Sequence, residues 1–270
     1  MPELPEVETT VAGLRPVLEG KRLTLVEPRR ADLRRPIPVD LRQRMTGARV
    51  TQVTRRAKYG LIETDRGDVM IFHLGMSGRW RIDPGELEKH DHLLLETEEN
   101  RRLVLNDPRR FGSLDLVRLD DLDSFPAFAA MGPEPLGDAF NGAYLKNATK
   151  GRRAPVKQLL LDQHVVAGLG NIYVCEALYM AGIDPRRMGG GISRPRYDRL
   201  VSAIKKVLES AIAAGGSSLR DFVKPDGELG YFSKQWLVYG REGEKCACGA
   251  PIMRKVDSGR STFYCEKCQS

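Results

Sequence analysis

Val7, Val11, Leu14 and Leu18 recur at helical spacing directly after Pro5, and Gly20 ends the run, so the chain is expected to open with an amphipathic helix. From Lys21 to about Leu119 the pattern changes to short strand-like runs at 22–26, 48–54, 59–64, 69–74, 92–97, 103–106 and 114–117. Turn signals such as Asp65-Arg66-Gly67-Asp68 and Glu98-Glu99-Asn100 separate them. This half therefore reads as one helix followed by an all-β sandwich or barrel. Two prolines and two glycines within residues 131–137 mark an interdomain linker. Helical periodicity resumes beyond it. Val156, Leu159 and Leu160 predict a short helix, 172–180 a second, and Tyr197 to Ile212 a long amphipathic third that Gly215-Gly216 closes. A polar stretch, 217–230, then leads to a cysteine-bearing tail whose runs at 251–256 and 261–264, with a turn at 257–259, read as a β-ribbon.

Composition narrows the class. The chain has 270 residues, 41% of them hydrophobic and 29% charged, which excludes a disordered polypeptide. Apolar runs such as Val69 to Phe72 fall far short of the ~20 residues that span a bilayer. The N-terminus is acidic and carries two prolines, unlike a basic-then-apolar leader, so a cytosolic protein without a membrane partner is expected. The formal charge of +7 is unevenly placed: up to Pro135 there are 22 basic and 23 acidic residues, and beyond it 21 and 13. A polyanion would be held mainly by the second half, the alternative being a solvated basic surface.

Four of the five cysteines, Cys246, Cys248, Cys265 and Cys268, lie within the last 25 residues. Two thiolate pairs on a ribbon fit a tetrahedral zinc site. The second pair has the usual two-residue gap, but the first has only Ala247 between its members, which removes the turn that normally aims backbone N–H groups at the sulfurs. A four-cysteine site, a three-cysteine site and no metal therefore all stay open. Cys175, on an apolar helix face, reads as a small buried hydrophobe. Gly168-Leu169-Gly170-Asn171 sits between two helices and would point the N–H groups of the second toward a phosphate, unless it merely reverses the chain. Arg152, Arg153 and Lys157 lie just before it.

At the N-terminus, removal of Met1 would leave Pro2 with a free secondary amine. An α-amine with a pKa of about 8 attacks an electrophilic carbon at neutral pH far more readily than a lysine at about 10.4. Attack on an aldehyde-level carbon would give an iminium ion, an electron sink. The bland reading is that Pro2 and Pro5 stiffen the start of the helix while Glu3 and Glu6 complement its dipole. Lys58 in RRAKY and Met76 in HLGMSG could be ordinary strand and turn residues, whereas residues 106–112 form a loop presenting Arg109, Arg110 and Phe111, a composition able to enter a duplex as a wedge.

Together, PELPEVE at the N-terminus, RRAKY at 55–59, HLGMSG at 73–78, KHDH at 89–92, DPRRFG at 107–112, GPEPL at 132–136, GLGNIY at 168–173, DGELGYF at 226–232, VYGREG at 238–243 and the cysteine tail resemble the bacterial formamidopyrimidine-DNA glycosylases. These are bifunctional enzymes that excise oxidised purines from DNA. The resemblance implies an α+β chain: a helix plus β-sandwich catalytic domain at 1–131, a helical DNA-binding domain with a helix-two-turn-helix motif at 132–240, and a zinc-ribbon finger at 241–270. It implies Pro2 as nucleophile, Glu3 as acid/base, Glu6 as a residue ordering the site, and Lys58 and Arg260 in the β- and δ-elimination steps. Met76, Arg109 and Phe111 would fill the space left by a flipped nucleotide, Arg109 reading the opposite cytosine. His90, Arg109 and Arg152 would contact DNA, and Lys157, Asn171 and Arg260 would clamp phosphates. Residues 217–230 would cover the extruded base. One structural Zn2+, no nucleotide cofactor, a damaged double-stranded DNA partner and a monomeric state are the remaining expectations. The rivals are the endonuclease VIII branch, which prefers oxidised pyrimidines and lacks Leu4 and the full Met, Arg, Phe trio, and a non-catalytic DNA-binding zinc protein.

Overall fold

In the computed structural model, residues 2–217, 224–225, 227–228, 230–257 and 259–270 are described. The chain divides into two compact units, Met1–Ala129 with Ala214–Ser233, and Ala130–Ala213 with Lys234–Ser270. The first unit opens with helix α1 (Leu4–Leu18), which Glu3 and Glu6 start as a capping box and after which Gly20 turns the chain at φ +77°. Strand β1 (Leu23–Pro28), the short helix α2 (Leu41–Met45) and strands β2 (Val50–Arg56), β3 (Tyr59–Thr64), β4 (Asp68–His73), β5 (Arg79–Ile82), β6 (Asp91–Thr97), β7 (Arg102–Asn106) and β8 (Ser113–Arg118) follow. They form two four-stranded antiparallel sheets, ordered β1-β6-β7-β5 and β2-β3-β4-β8.

The strand-like runs read from the sequence form this sandwich. Leu93 and Leu95 of β6, Leu103 and Leu105 of β7, and Met70 and Phe72 of β4 send every second side chain into one core, which Val7, Val11, Leu14 and Leu18 of α1 also enter. Gly60 of β3 sits opposite Phe72 because its missing side chain makes room for that ring, which in turn meets Trp80 edge-to-face with centroids 5.4 Å apart. Strand β5 was not anticipated: Arg79-Trp80-Arg81-Ile82 pairs with β7 at the edge of its sheet, burying Trp80 and leaving its arginines outward.

The second unit holds α4 (Gly142–Ala148), α5 (Val156–Leu161), α6 (Asn171–Met180) and α7 (Arg194–Ala213), preceded at the end of the first unit by the one-turn α3 (Pro126–Ala129). Helix α4, like the short α2 and α3, is not signalled by periodicity; the Asn141 side chain caps it by accepting the Tyr144 N–H at 3.0 Å. The antiparallel ribbon β9 (Met253–Asp257) and β10 (Arg260–Tyr264) lies in the same unit, with β10 against α6. No helix among the described residues is long and apolar enough to cross a membrane.

Candidate functional site

In the first unit the residues leading into α1 are buried. Pro2 is buried, and Glu3 and Glu6 are 3% and 2% exposed. The Glu6 carboxylate binds two backbone N–H groups, that of Glu3 at 2.8 Å through Oε2 and that of Ser217 at 2.8 Å through Oε1. One carboxylate thereby ties the residue beside Pro2 to the first residue of the 217–230 stretch. The expected covering segment falls largely on 218–223, 226 and 229, which, like Met1, lie outside the described residues.

Lys58 follows Ala57, which is fully buried at φ +54°. The left-handed backbone is costly for a residue with a Cβ, and Arg55 holds it, donating to the Ala57 carbonyl at 2.8 Å and to Glu8 at 2.9 Å. His73, absent from the sequence reading, ends β4 directly opposite Tyr59, their ring centroids 4.8 Å apart. Burial, followed by the cations Lys58, Arg34 and Arg35, lowers the His73 pKa to about 4. Its Nδ1 accepts the Gly75 N–H at 3.0 Å, which assigns the ring's proton to Nε2.

The two loops carrying Met76, Arg109 and Phe111 are built against each other. Gly75 lies at φ +62° with its Cα so close to Phe111 and Gly112 that a Cβ would stand 2.3 Å from the Phe111 carbonyl carbon. Asp107 joins the loops: Oδ1 accepts from Ser77 Oγ at 2.6 Å and Oδ2 from the Gly112 N–H at 2.8 Å, while Ser77 Oγ accepts the Arg109 N–H at 3.1 Å. The tip stays open to solvent, with Phe111 45% exposed and the Arg109 guanidinium stacked 4.8 Å from its ring centroid. His90 is half-buried at the loop's base, its carbonyl accepting the Asp107 N–H at 3.0 Å.

In the second unit, Gly168 at φ +79° turns the chain into α6, whose first residue is Asn171. Asn171 Nδ2 donates to the Ser261 carbonyl at 2.8 Å, and Lys157 Nζ, from α5, donates to the same carbonyl at 3.1 Å and to Thr262 Oγ1 at 2.7 Å. Two of the three expected phosphate clamps thus converge on the strand whose first residue is the third, Arg260. An anion reaching them would share these N–H groups with the Ser261 carbonyl. Lys157, Arg186, Arg260 and Thr262 line a cavity of about 340 Å³. Arg260 and Arg152 are exposed, the latter 3.9 Å from Asp162. Pro2, Glu3 and Lys58 belong to the first unit and Arg260 to the second. Another residue that local patterns missed is Glu176, 1% exposed, which accepts the N–H groups of Leu237, Val238 and Tyr239 at 2.8, 3.0 and 2.8 Å.

The four tail cysteines meet despite the shortened first pair. Their sulfurs all lie within 4.8 Å of one another, with Cys246 to Cys268 at 3.7 Å and Cys248 to Cys265 at 3.5 Å. Tetrahedral zinc with bonds of about 2.3 Å needs sulfurs about 3.8 Å apart, so the donor set fits such an ion. Cys175 is 1% exposed and packs in one apolar cluster with Cys246 and Cys265 without being one of the four gathered sulfurs.

Residues 1–114 match the family model of the formamidopyrimidine-DNA glycosylase N-terminal domain, and residues 131–223 that of the formamidopyrimidine-DNA glycosylase H2TH domain. A formamidopyrimidine-DNA glycosylase from Rhizorhabdus wittichii is 70% identical over 269 residues, covering 100% of both chains. The crystal structure of the MutM (Fpg) protein from Thermus thermophilus is 40% identical with a TM-score of 0.87, covering 99% of this chain and 98% of its own. A Lactococcus lactis Fpg mutant in complex with Fapy-dG-containing DNA is 32% identical with a TM-score of 0.92, covering 100% of both. With family models matching residues 1–114 and 131–223 and a relative aligned over the whole length, the chain belongs to the formamidopyrimidine-DNA glycosylase family.

Proposed function

We propose that the protein removes oxidised purines, 8-oxoguanine and formamidopyrimidines, from duplex DNA and then cuts the strand. The observation that carries this reading is the burial of Pro2 beside the Glu3 carboxylate at the start of α1. A secondary amine and an acid kept from bulk water form the pair that nucleophilic glycosidic cleavage requires. Once Met1 is removed, the Pro2 nitrogen attacks C1′ and the bond from C1′ to the base breaks, the base leaving with the electron pair. Glu3 protonates the sugar ring oxygen, the ring opens, and an iminium ion links Pro2 to C1′. Loss of a C2′ proton then drives β-elimination at C3′, and a second elimination releases the 5′ phosphate, with Lys58 and Arg260 serving these steps. Water finally frees the amine, so the breakage needs no nucleotide or dissolved metal.

Met76, Arg109 and Phe111 enter the duplex where the lesion is extruded, and Arg109 reads the base opposite. The two touching loops that present them support this role, since a wedge must resist the stack it opens. His90 and Arg152 contact the backbone, Lys157, Asn171 and Arg260 hold phosphates, and the protein acts as a monomer in the cytoplasm. Cys246, Cys248, Cys265 and Cys268 bind one structural Zn2+.

Borohydride trapping on a duplex with 8-oxoguanine opposite cytosine tests the chemistry. A covalent protein–DNA adduct is expected from the processed chain, and none from a form whose Pro2 nitrogen is acylated by an uncleaved N-terminal extension. Salt-sensitive DNA binding without an adduct, or an adduct that survives the extension, would overturn the proposal.

A further inference from the structure

The shortened cysteine pair leaves Cys246 one backbone donor poorer than Cys265. In the second pair, the N–H groups of Lys267 and Cys268, two and three residues on, both reach the Cys265 sulfur. In the first pair, the N–H of Cys248 reaches Cys246 Sγ. The next one, on Gly249, is turned away and donates to the Cys246 carbonyl at 2.8 Å, with Gly249 at φ +84°. A side chain from another element takes the open position: the Tyr179 phenol lies 3.1 Å from Cys246 Sγ.

We propose that Tyr179 is a positioning residue of the metal site, its O–H donating to the Cys246 thiolate in place of the backbone N–H that the one-residue gap removes. The proposal rests on the reading of the four cysteines as zinc ligands. A metal-bound thiolate has no proton to give, so the phenol must be the donor. A hydrogen bond to a ligand sulfur fixes its orientation and spreads its charge, which is how groups behind the ligands govern metal affinity. Tyr179 is well held for this task. It stands one turn beyond Cys175 on α6, and it packs against the cluster of Cys175, Val238, Ile252 and Phe263 that carries the ribbon. The same helix begins at Asn171 and anchors residues 237–239 through Glu176, so the phenol ties the metal site to the element that presents Asn171.

The test is zinc competition with a chromogenic chelator on the full chain, in four versions: the parent, Tyr179→Phe, a parent with one residue inserted between Ala247 and Cys248, and that insertion combined with Tyr179→Phe. Phenylalanine keeps the ring and deletes the donor. The zinc dissociation constant should rise about 10–100-fold in Tyr179→Phe. It should be nearly insensitive to the same change once the inserted residue restores the usual gap. An unchanged constant in the single variant overturns the proposal. So does equal weakening in both backgrounds, because the hydroxyl would then act independently of the gap. A parent chain that binds no zinc overturns the metal reading itself, and the proposal with it.

Discussion

Protonating His73 should unfasten the turn that carries Met76. His73 is half-buried at the end of β4, and desolvation, with added repulsion from Lys58, Arg34 and Arg35, lowers its pKa from 6.5 to about 4. A lowering that large is worth at most about 3.5 kcal/mol at ~1.4 kcal/mol per pH unit. Because the folded pKa lies below the unfolded one, the unfolded chain takes up the proton first. The stabilisation is therefore complete above about pH 6.5, declines as pH falls, and is lost below about pH 4. The structural cost is specific: a proton on Nδ1 removes the acceptor of the Gly75 N–H, at a glycine whose backbone touches Phe111 and Gly112. In His73→Asn the side-chain oxygen can take over the Nδ1 contact and cannot be protonated. Urea denaturation at pH 7, 5.5 and 4 should show the parent losing up to about 3 kcal/mol more than this variant, and NMR titration of the imidazole should place its midpoint near 4. A midpoint near 6.5, or the same pH dependence in both proteins, would refute the reasoning.

Gly60→Ala would put a methyl group 2.0 Å from the Phe72 ring, and the displaced aromatic pair should cost about 1–3 kcal/mol in a urea unfolding experiment. Glu176→Gln keeps the oxygen that binds Val238 and Tyr239 but turns an amide NH₂ toward the Leu237 N–H; a loss of about 1.5–3 kcal/mol is expected, and an unchanged unfolding midpoint would show that the three-way contact carries no stability. Arg109→Ala should relax discrimination between cytosine and other bases opposite the lesion by about 1–3 kcal/mol, measured as the ratio of excision rates on the two pairings, with an unaltered ratio counting against base reading by Arg109.

What the sequence reveals about this molecule follows the range of the forces involved. Helix α1 is legible because burial on one face imposes a period of 3.6 on its residues, and strands β4, β6 and β7 because burial on both faces makes them nearly continuous apolar runs between turn signals. Strand β5 escapes because four residues, two of them arginines, give too short an alternation, and only pairing with β7 makes it a strand. Helix α4 escapes because its start depends on one asparagine cap rather than on a stripe. The cysteines, Pro2 and the loop glycines are legible as chemistry, since few residue types can perform their tasks.

Buried carboxylates are the opposite case. Glu176 and Glu6 each satisfy backbone N–H groups far along the chain, and such partners are set by where the chain returns in space, leaving no local signature. Glu6 reaches Ser217, 211 residues away, and Pro225 of the same stretch approaches Gly13 of α1, where a Cβ would stand 3.1 Å from its ring. From periodicity alone, 217–230 is a polar connection between the last helix and the ribbon. The docking of Ser217 on α1 meets the need of an acid at the third position of that helix, which must find donors once it is buried. Supplying them from both Glu3 and Ser217 makes the environment of the N-terminus depend on where that distant stretch lies. A change in the stretch would therefore reach Pro2 through one carboxylate, with no need for contact between the two.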